Sequence, residues 1–598
     1  MPRLGRRTVL KLASAGAACA ALPWASQAAQ TGGAEGGRAV AQDGVLEIAF
    51  DDQLRTRLSA KGRPITQFDP SESLLLEDGE ADAFAFRDHR IEALRDPRHG
   101  AGQRHRVRGR TDAGLEKTVE ATFFARYPGM AIVQVRYRNG GDRPLAVRGW
   151  RNAAHELADA PGGFWSFSGA THEDRRDWVQ PVGDDFDQRN TLSMAASDYG
   201  GGTPVADLWR RDVGLAVGHV EPVPRLLDLP VRKTERGARI AVEALLETTL
   251  APGAELVTDR SFLCVHTGDH YGALLHYRGY MDDQGIAAPQ APASAFAPIW
   301  CAWGYDRNFT REQVLDTLPK VRELGFEWAV LDDGWQTNEG DWKLDRSKFP
   351  RGEEDMREFV AAVRAQGLRP RLWLAPLAAD PGSDILHDRP DMLLLDEAGS
   401  VQKVSWWNAF TQCPAYQPTV DYYVALVKKI IGEWGYEGLK LDGQHLNAVA
   451  PCHNPLHKHA RPEESCKKLA DFWNAIHRAA HEANPDAVVE LCPCGTAFAF
   501  HNLPATDQYP SSDPLSSWQV RHKGKTVKAL MGARSSYAGD HVELSDGRDD
   551  FASSVGIGAV ISTKFTWPKD NDRPIQPLPP GGFALTPEKE ALWKKWVD

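Results

Sequence analysis

The pattern of apolar residues changes once along this 598-residue chain, and that change limits what it can fold into. From residue 44 to about 275 apolar residues alternate in short runs. Examples are Val45-Leu46-Glu47-Ile48-Ala49-Phe50, Ala131 to Tyr137, and Ile240 to Leu245. A period of two is that of a half-buried strand. Turn dipeptides such as Asn139-Gly140 and Pro252-Gly253 punctuate the runs and suit antiparallel pairing. We read residues 44–285 as a large β-sandwich. An Ala- and Pro-rich stretch, 286–297, reads as a linker.

From Pro298 onward strands alternate with amphipathic helices. Ile299–Trp303 is a short apolar strand. Thr310 caps a helix carrying Val314, Leu315, Leu318 and Val321 at helical spacing, with Gln313 completing the capping signature. Further strands are expected at Phe326–Leu331, Arg369–Ala375, Gly438–Leu441, Ala487–Cys492 and Val555–Thr563. Helices are expected at 353–366, from Pro418 to Trp434, and at 465–483. Such alternation over roughly 300 residues indicates parallel β/α units, and about 250 residues is typical of a (β/α)8 TIM-type barrel. An open doubly wound sheet is the alternative; no glycine-rich turn follows the first strand, which disfavours a dinucleotide fold. The barrel is assigned to 298–598.

The first thirty residues are not part of the fold. Arg3, Arg6 and Arg7 precede an apolar run from Val9 to Leu22 and a small-residue site near Ala28. This is a secretory signal over 1–29, and the Arg6-Arg7 pair resembles a twin-arginine signal, so a bacterial exported protein, periplasmic or secreted, is expected. No later run of 18 apolar residues exists, so no membrane insertion is expected. The net charge is −11, and four units more negative once Arg3, Arg6, Arg7 and Lys11 are removed. No basic stripe offers a nucleic-acid surface. Eight cysteines become seven without Cys19; an odd, scattered set is no disulfide framework, although Cys452 and Cys466 are close enough in sequence to bridge.

In a β/α barrel, functional side chains lie just past the strands. There the chain places Trp303, Asp332-Asp333-Gly334-Trp335, Trp373, Lys440-Leu441-Asp442 and Cys492-Pro493-Cys494-Gly495. Carboxylates accept hydrogen bonds from hydroxyls and indole rings stack on sugar faces, so the mix suits a carbohydrate; a count of 19 tryptophans agrees. Lys440 and Asp442 alternate on one strand and share a face. They read as a structural ion pair or as a nucleophilic carboxylate whose pKa the lysine holds down. Glycosidic cleavage needs a second carboxylate. Asp513 is a candidate, and composition does not separate it from Asp507 or Asp540.

The ordered set resembles the retaining α-galactosidases of glycoside hydrolase family 36 and its clan, families 27 and 36. It comprises Trp303, Val330 to Trp335, Gly340-Asp341-Trp342-Lys343, Lys348 to Gly352, Gly367-Leu368, Leu372-Trp373, Lys440 to Gly443, Cys492 to Gly495, and Ser512-Asp513 with Trp518. The resemblance covers 298–570, and the preceding β-sandwich points to family 36. It implies that Asp442 is the nucleophile and Asp513 the acid/base. Asp332, Asp333 and Lys440 would hold sugar hydroxyls, Trp303, Trp335 and Trp373 would shape the pocket, and Cys494 and Gly495 would border the 2-hydroxyl. The clan often has an arginine four residues before the acid/base; here that position is Tyr509, with Arg521 downstream as a possible substitute. The resemblance implies no cofactor and no metal.

Two other clusters are weaker. Cys452-His453-x3-His457-x-His459 lacks a standard zinc spacing and reads as a solvated loop beside the cleft. Asp540 to Asp550 lacks the calcium-loop repeat and reads as a polar loop. Rival readings are an α-N-acetylgalactosaminidase, a β-L-arabinopyranosidase, a galactosyl transferase, or a non-catalytic sugar-binding protein. Family 36 proteins usually continue into a C-terminal β-domain, so the barrel is either short or cut off at Asp598.

Overall fold

The computed structural model describes residues 38–194, 200–404, 407–539, 554–570 and 583–597. The expected export signal and Asp540 lie outside the described residues.

Antiparallel sheets fill the N-terminal half. A ten-stranded sheet faces a six-stranded one, with a four-stranded sheet at the edge. Register follows the alternation in the sequence: Val135 pairs with Val119 and Val133 with Ala121, and these side chains are buried. Their core also takes Trp150, Ile240, Val242, Val217 and Leu263. The two turn dipeptides meet, because Gly253 N donates to Asn139 O and Asn139 Nδ2 to Leu250 O, at 2.6 and 2.8 Å. One helix, Tyr271–Asp283, closes this half.

The second half is a ring of eight parallel strands. They are β1 (Ile299–Cys301), β2 (Trp328–Leu331), β3 (Arg369–Leu374), β4 (Gly438–Asp442), β5 (Val488–Cys492), β6 (Gln508–Pro510), β7 (Ser536–Ala538) and β8 (Ser562–Thr563). β8 pairs with β1 through Ile299 and Ser562, and an Ala538–Val560 bridge nearly closes the ring. The helices that shape the argument are α1 (Arg311–Glu323), α2 (Glu353–Ala365), α3 (Gln417–Lys428), α4 (Leu469–Ala483), α5 (Ser517–Met531) and α6 (Pro587–Val597). Thr310 and Gln313 form the expected capping box on α1.

Several boundaries differ from the sequence reading. The first strand stops at Cys301 and Trp303 lies in the 3-10 turn that follows. The last strand shrinks to two residues, and α3 passes into a π-turn at Lys429–Glu433 before Trp434. The single helix expected at 465–483 is two, Glu464–Lys467 and α4. The Ala/Pro-rich stretch packs rather than dangles. Ser294 O accepts Trp328 Nε1 at 2.7 Å, Ala295 O accepts Gln508 Nε2 at 2.5 Å, and Ala291, Ala295 and Ala297 are buried under the strands. Inside the ring Arg371 is fully buried, paired with Glu490 and hydrogen-bonded to Gln508 at 2.6 Å.

A third apolar cluster joins the halves. Tyr277, Tyr280 and Phe262 from the sheet side meet Phe498, Phe500, Tyr509, Val527 and Tyr537 from the barrel. All seven cysteines in the described residues are free thiols, so the Cys452–Cys466 bridge is not formed. Among these residues no helix is long and apolar enough to cross a membrane.

Candidate active site

Lys440 and Asp442 both face the barrel interior from β4, as their spacing requires. Lys440 Nζ bonds Asp332 Oδ2 at 2.9 Å. The same oxygen accepts the Cys301 thiol at 3.0 Å, and Asp332 Oδ1 accepts Asp333 N at 2.9 Å. Burial works against the Asp332 charge, but Lys440 and these hydrogen bonds hold its carboxyl below the usual range. Asp333 goes the other way: burial and the neighbouring Asp332 raise it, against the pull of Arg307, whose guanidinium is 2.5 Å away.

Asp442 departs from expectation. Burial outweighs the attraction of Lys440, the charge of Asp513 adds to it, and the Asp442 carboxyl is pushed up to about 7. Lys440 acts on both carboxylates and hydrogen-bonds Asp332. Trp373 Nε1, from the end of β3, donates to Asp442 Oδ2 at 3.0 Å. Oδ1 is buried and has no hydrogen-bond partner. Trp373 stacks face to face on Trp407, centroids 5.2 Å apart and planes within 2°.

The rim after β5 and β6 is strained. Cys494, Ser512 and Asp513 all have positive φ, at 47°, 55° and 39°, in a region that favours glycine. Each such residue costs of order 1–3 kcal/mol, and such strain clusters at functional sites. Cross-links hold it: Gly495 N donates to Ser512 Oγ at 2.7 Å and the Cys494 thiol to Asp513 Oδ2 at 3.4 Å. Lys523 of α5 caps Ser512 O at 3.0 Å.

The sheet half also reaches this rim. Arg175, from the loop between strands Phe164–Ala170 and Val179–Val182, donates to the Asp513 carbonyl. Its guanidinium lies flat against Gly495, where a Cβ would stand 2.1 Å from Nε. Gly495 also has φ +86°. The dihedral therefore favours glycine there, and a Cβ would also have to push the Arg175 guanidinium aside.

Not every expected residue faces the mouth. Trp335 has no exposed surface; it packs edge-on against Trp434, beside Trp342, and donates Nε1 to Trp373 O at 2.9 Å. It supports Trp373 from below rather than lining a pocket. Trp518 is 51% exposed and stacks on His522. Arg521 is half-buried on α5, and Tyr509 packs on Phe498 in the inter-half cluster. Asp507 precedes β6, at the opposite end of the barrel, where His477 and His481 hold it at 3.2 and 3.0 Å. That removes it as a rival to Asp513. Sequence reasoning missed Trp407, Arg307 and Arg175. Trp407 stands in the excursion after β3 and Arg175 in a loop more than 300 residues from its partner, so neither carries a strand-end signal; Arg307, just past β1, does.

Residues 293–516 match the Melibiase family model. The chain is 27% identical over 548 residues to the A type blood α-D-galactosamine galactosaminidase of Flavonifractor plautii, covering 89% of this chain and 50% of that protein. It is 22% identical over 259 residues to the α-galactosidase AgaA of Geobacillus stearothermophilus, covering 40% of this chain and 34% of that protein. The chain thus spans about half the length of the galactosaminidase. Its fold is similar to that of the family 36 α-galactosidase AgaA, with a TM-score of 0.57 at 16% identity over 88% of this chain and 75% of that one. The α-galactosidase of Lactobacillus brevis gives 0.60 at 15%, over 94% and 82%.

Proposed function

Starting from a chain that is α-galactosidase-like, similar to family 36 in barrel sequence and in fold, we propose that it is a retaining exo-glycosidase. It removes terminal α-linked galactose from oligo- or polysaccharides. Asp442 attacks the anomeric carbon while Asp513 protonates the departing glycosidic oxygen. The C–O bond breaks and a glycosyl ester forms on Asp442. Asp513, now a carboxylate, takes a proton from water, which attacks the same carbon and frees Asp442. The observation that carries this reading is the Asp442 carboxylate: one oxygen aligned by Trp373, the other unpartnered, and the whole group within electrostatic reach of Asp513. Asp332, Asp333 and Lys440 form the polar floor that would receive sugar hydroxyls.

A second reading is a sugar with nitrogen at C2, favoured by the long match to the galactosaminidase. Against a cationic 2-ammonium stands Arg175, whose guanidinium packs on Gly495 beside the expected 2-position. We also infer that residues 1–29 are a twin-arginine export signal; Arg6→Lys with Arg7→Lys should then retain the protein inside the cell.

The test uses nitrophenyl glycosides of α-galactose, α-galactosamine, α-N-acetylgalactosamine and β-L-arabinopyranose. Release from α-galactoside, lost at least a thousandfold in Asp442→Ala, is the expected result. Azide should rescue Asp442→Ala to a β-galactosyl azide and Asp513→Ala to the α-anomer, because only the second variant still forms the ester. Matching products from both variants would reject the assignment. Release from the amino sugar alone would favour the second reading.

A further inference from the structure

The folded chain brings the Cys413 thiol to a cluster of one thiol and two imidazoles that lies well downstream in the sequence. Cys413 follows the short strand Ala409–Thr411 in the excursion after β3; Cys452, His457 and His459 lie in the loop after β4. Cys413 Sγ is 3.4 Å from His459 Nε2, and Cys452 Sγ is 3.2 Å from His457 Nδ1. All four donor atoms lie within 4.8 Å of one another. A tetrahedral zinc with Zn–S near 2.3 Å and Zn–N near 2.0–2.1 Å sets donor–donor edges of about 3.3–3.8 Å, so the cluster is close to the size needed.

The outer nitrogens face oxygen acceptors. His457 Nε2 donates to Asp391 O at 2.6 Å. His459 Nδ1 lies 3.6 Å from Glu464 Oε2. A histidine that ligates metal characteristically gives its second N–H to a carbonyl or carboxylate, which fixes the ring and leaves the other lone pair for the ion. Here the lone pairs left over, His457 Nδ1 and His459 Nε2, are the two that face the thiols. Tyr416 stacks on His457 at 4.2 Å and restrains the ring further. Cys413 and Cys452 are buried.

We propose that Cys413, Cys452, His457 and His459 bind one structural zinc ion. Binding converts both thiols to thiolates and releases two protons. Four protein ligands leave no open position, so the ion takes no part in chemistry. Its role is to fasten the loop after β4 to the excursion after β3. The two also share His453 N to Leu395 O and Asn454 Nδ2 to Leu393 O, each at 2.8 Å, beside the His457–Asp391 bond. The excursion carries Trp407, which backs Trp373. The spacing within 452–459 resembles no standard zinc pattern because the fourth ligand comes from a different loop.

The test is elemental analysis of the full-length chain, purified without chelator and again after reduction and reloading with zinc. About one zinc per chain is expected in both. Cobalt in its place should give a thiolate-to-metal charge-transfer band. Cys413→Ser and His459→Gln should each cut bound metal at least tenfold, while His453→Gln, outside the set, should leave it unchanged. Wild-type protein without metal after reloading would overturn the proposal, whether or not the variants fold. So would a Cys413–Cys452 disulfide found by peptide mass spectrometry, or metal retained in a folded Cys413→Ser.

Discussion

Asp442 sets the pH response. Its carboxyl titrates near 7 in the free protein and must be ionised to attack, so kcat/KM should fall as pH drops below about 7. Lys440 pulls that value down, so Lys440→Met should move the acid limb to higher pH. Stability runs the other way. A carboxyl raised from about 3.9 in the unfolded chain to about 7 in the fold gives its full contribution below pH 4 and loses it as pH rises through 7. Ionised, it costs of order 4 kcal/mol. Asp442→Asn should therefore be inactive, more stable than wild type at pH 8, and little different near pH 4, as urea unfolding at both pH values would report. At this scale the sequence was legible where a residue sits on a strand. Lys440 and Asp442 share a face because the period is two. Trp335 was misread because that period ends at Leu331 and the turn at Gly334 swings the indole into the core.

The elements differ in how much they reveal. α1 announces itself through Thr310 and Gln313, and Thr310→Ala should cost about 1 kcal/mol in chemical denaturation. The rim after β5 and β6 is harder to read. Nothing in the strand pattern marks Ser512 and Asp513 as left-handed; the assembled bonds to Gly495, Cys494, Lys523 and Arg175 hold them there. Gly495→Ala should combine a dihedral penalty with displacement of Arg175, lowering kcat/KM at least tenfold. Placing it in an Arg175→Ala background should remove the steric part. The double variant should then be less impaired than the two single losses added together. Strict additivity would mean that the guanidinium is not what the alanine strikes. Long helices and buried strands were predictable from apolar period, but their ends were set by tertiary contacts, as the π-turn before Trp434 shows.

At the scale of the whole molecule, a barrel behind an antiparallel β-half could be read from the change of period at Pro298. What could not be read is how closely the two adhere. Tyr277 is buried against Phe500 of the barrel, and Arg175 crosses to the rim. The halves should unfold in one calorimetric transition, and Tyr277→Ala should lower stability by about 3–5 kcal/mol while keeping that transition single. Two separated peaks in the wild type would show the interface to be weak. The Trp373 hydrogen bond carries a consequence of another kind. An indole bonded to a carboxylate that titrates near neutrality, and stacked on a second indole, is an optical probe placed by the fold itself. Part of the emission should follow the protonation of Asp442 through pH 7, and go flat in Asp442→Asn. The charge state of this carboxylate would then be visible as light, before any sugar is bound.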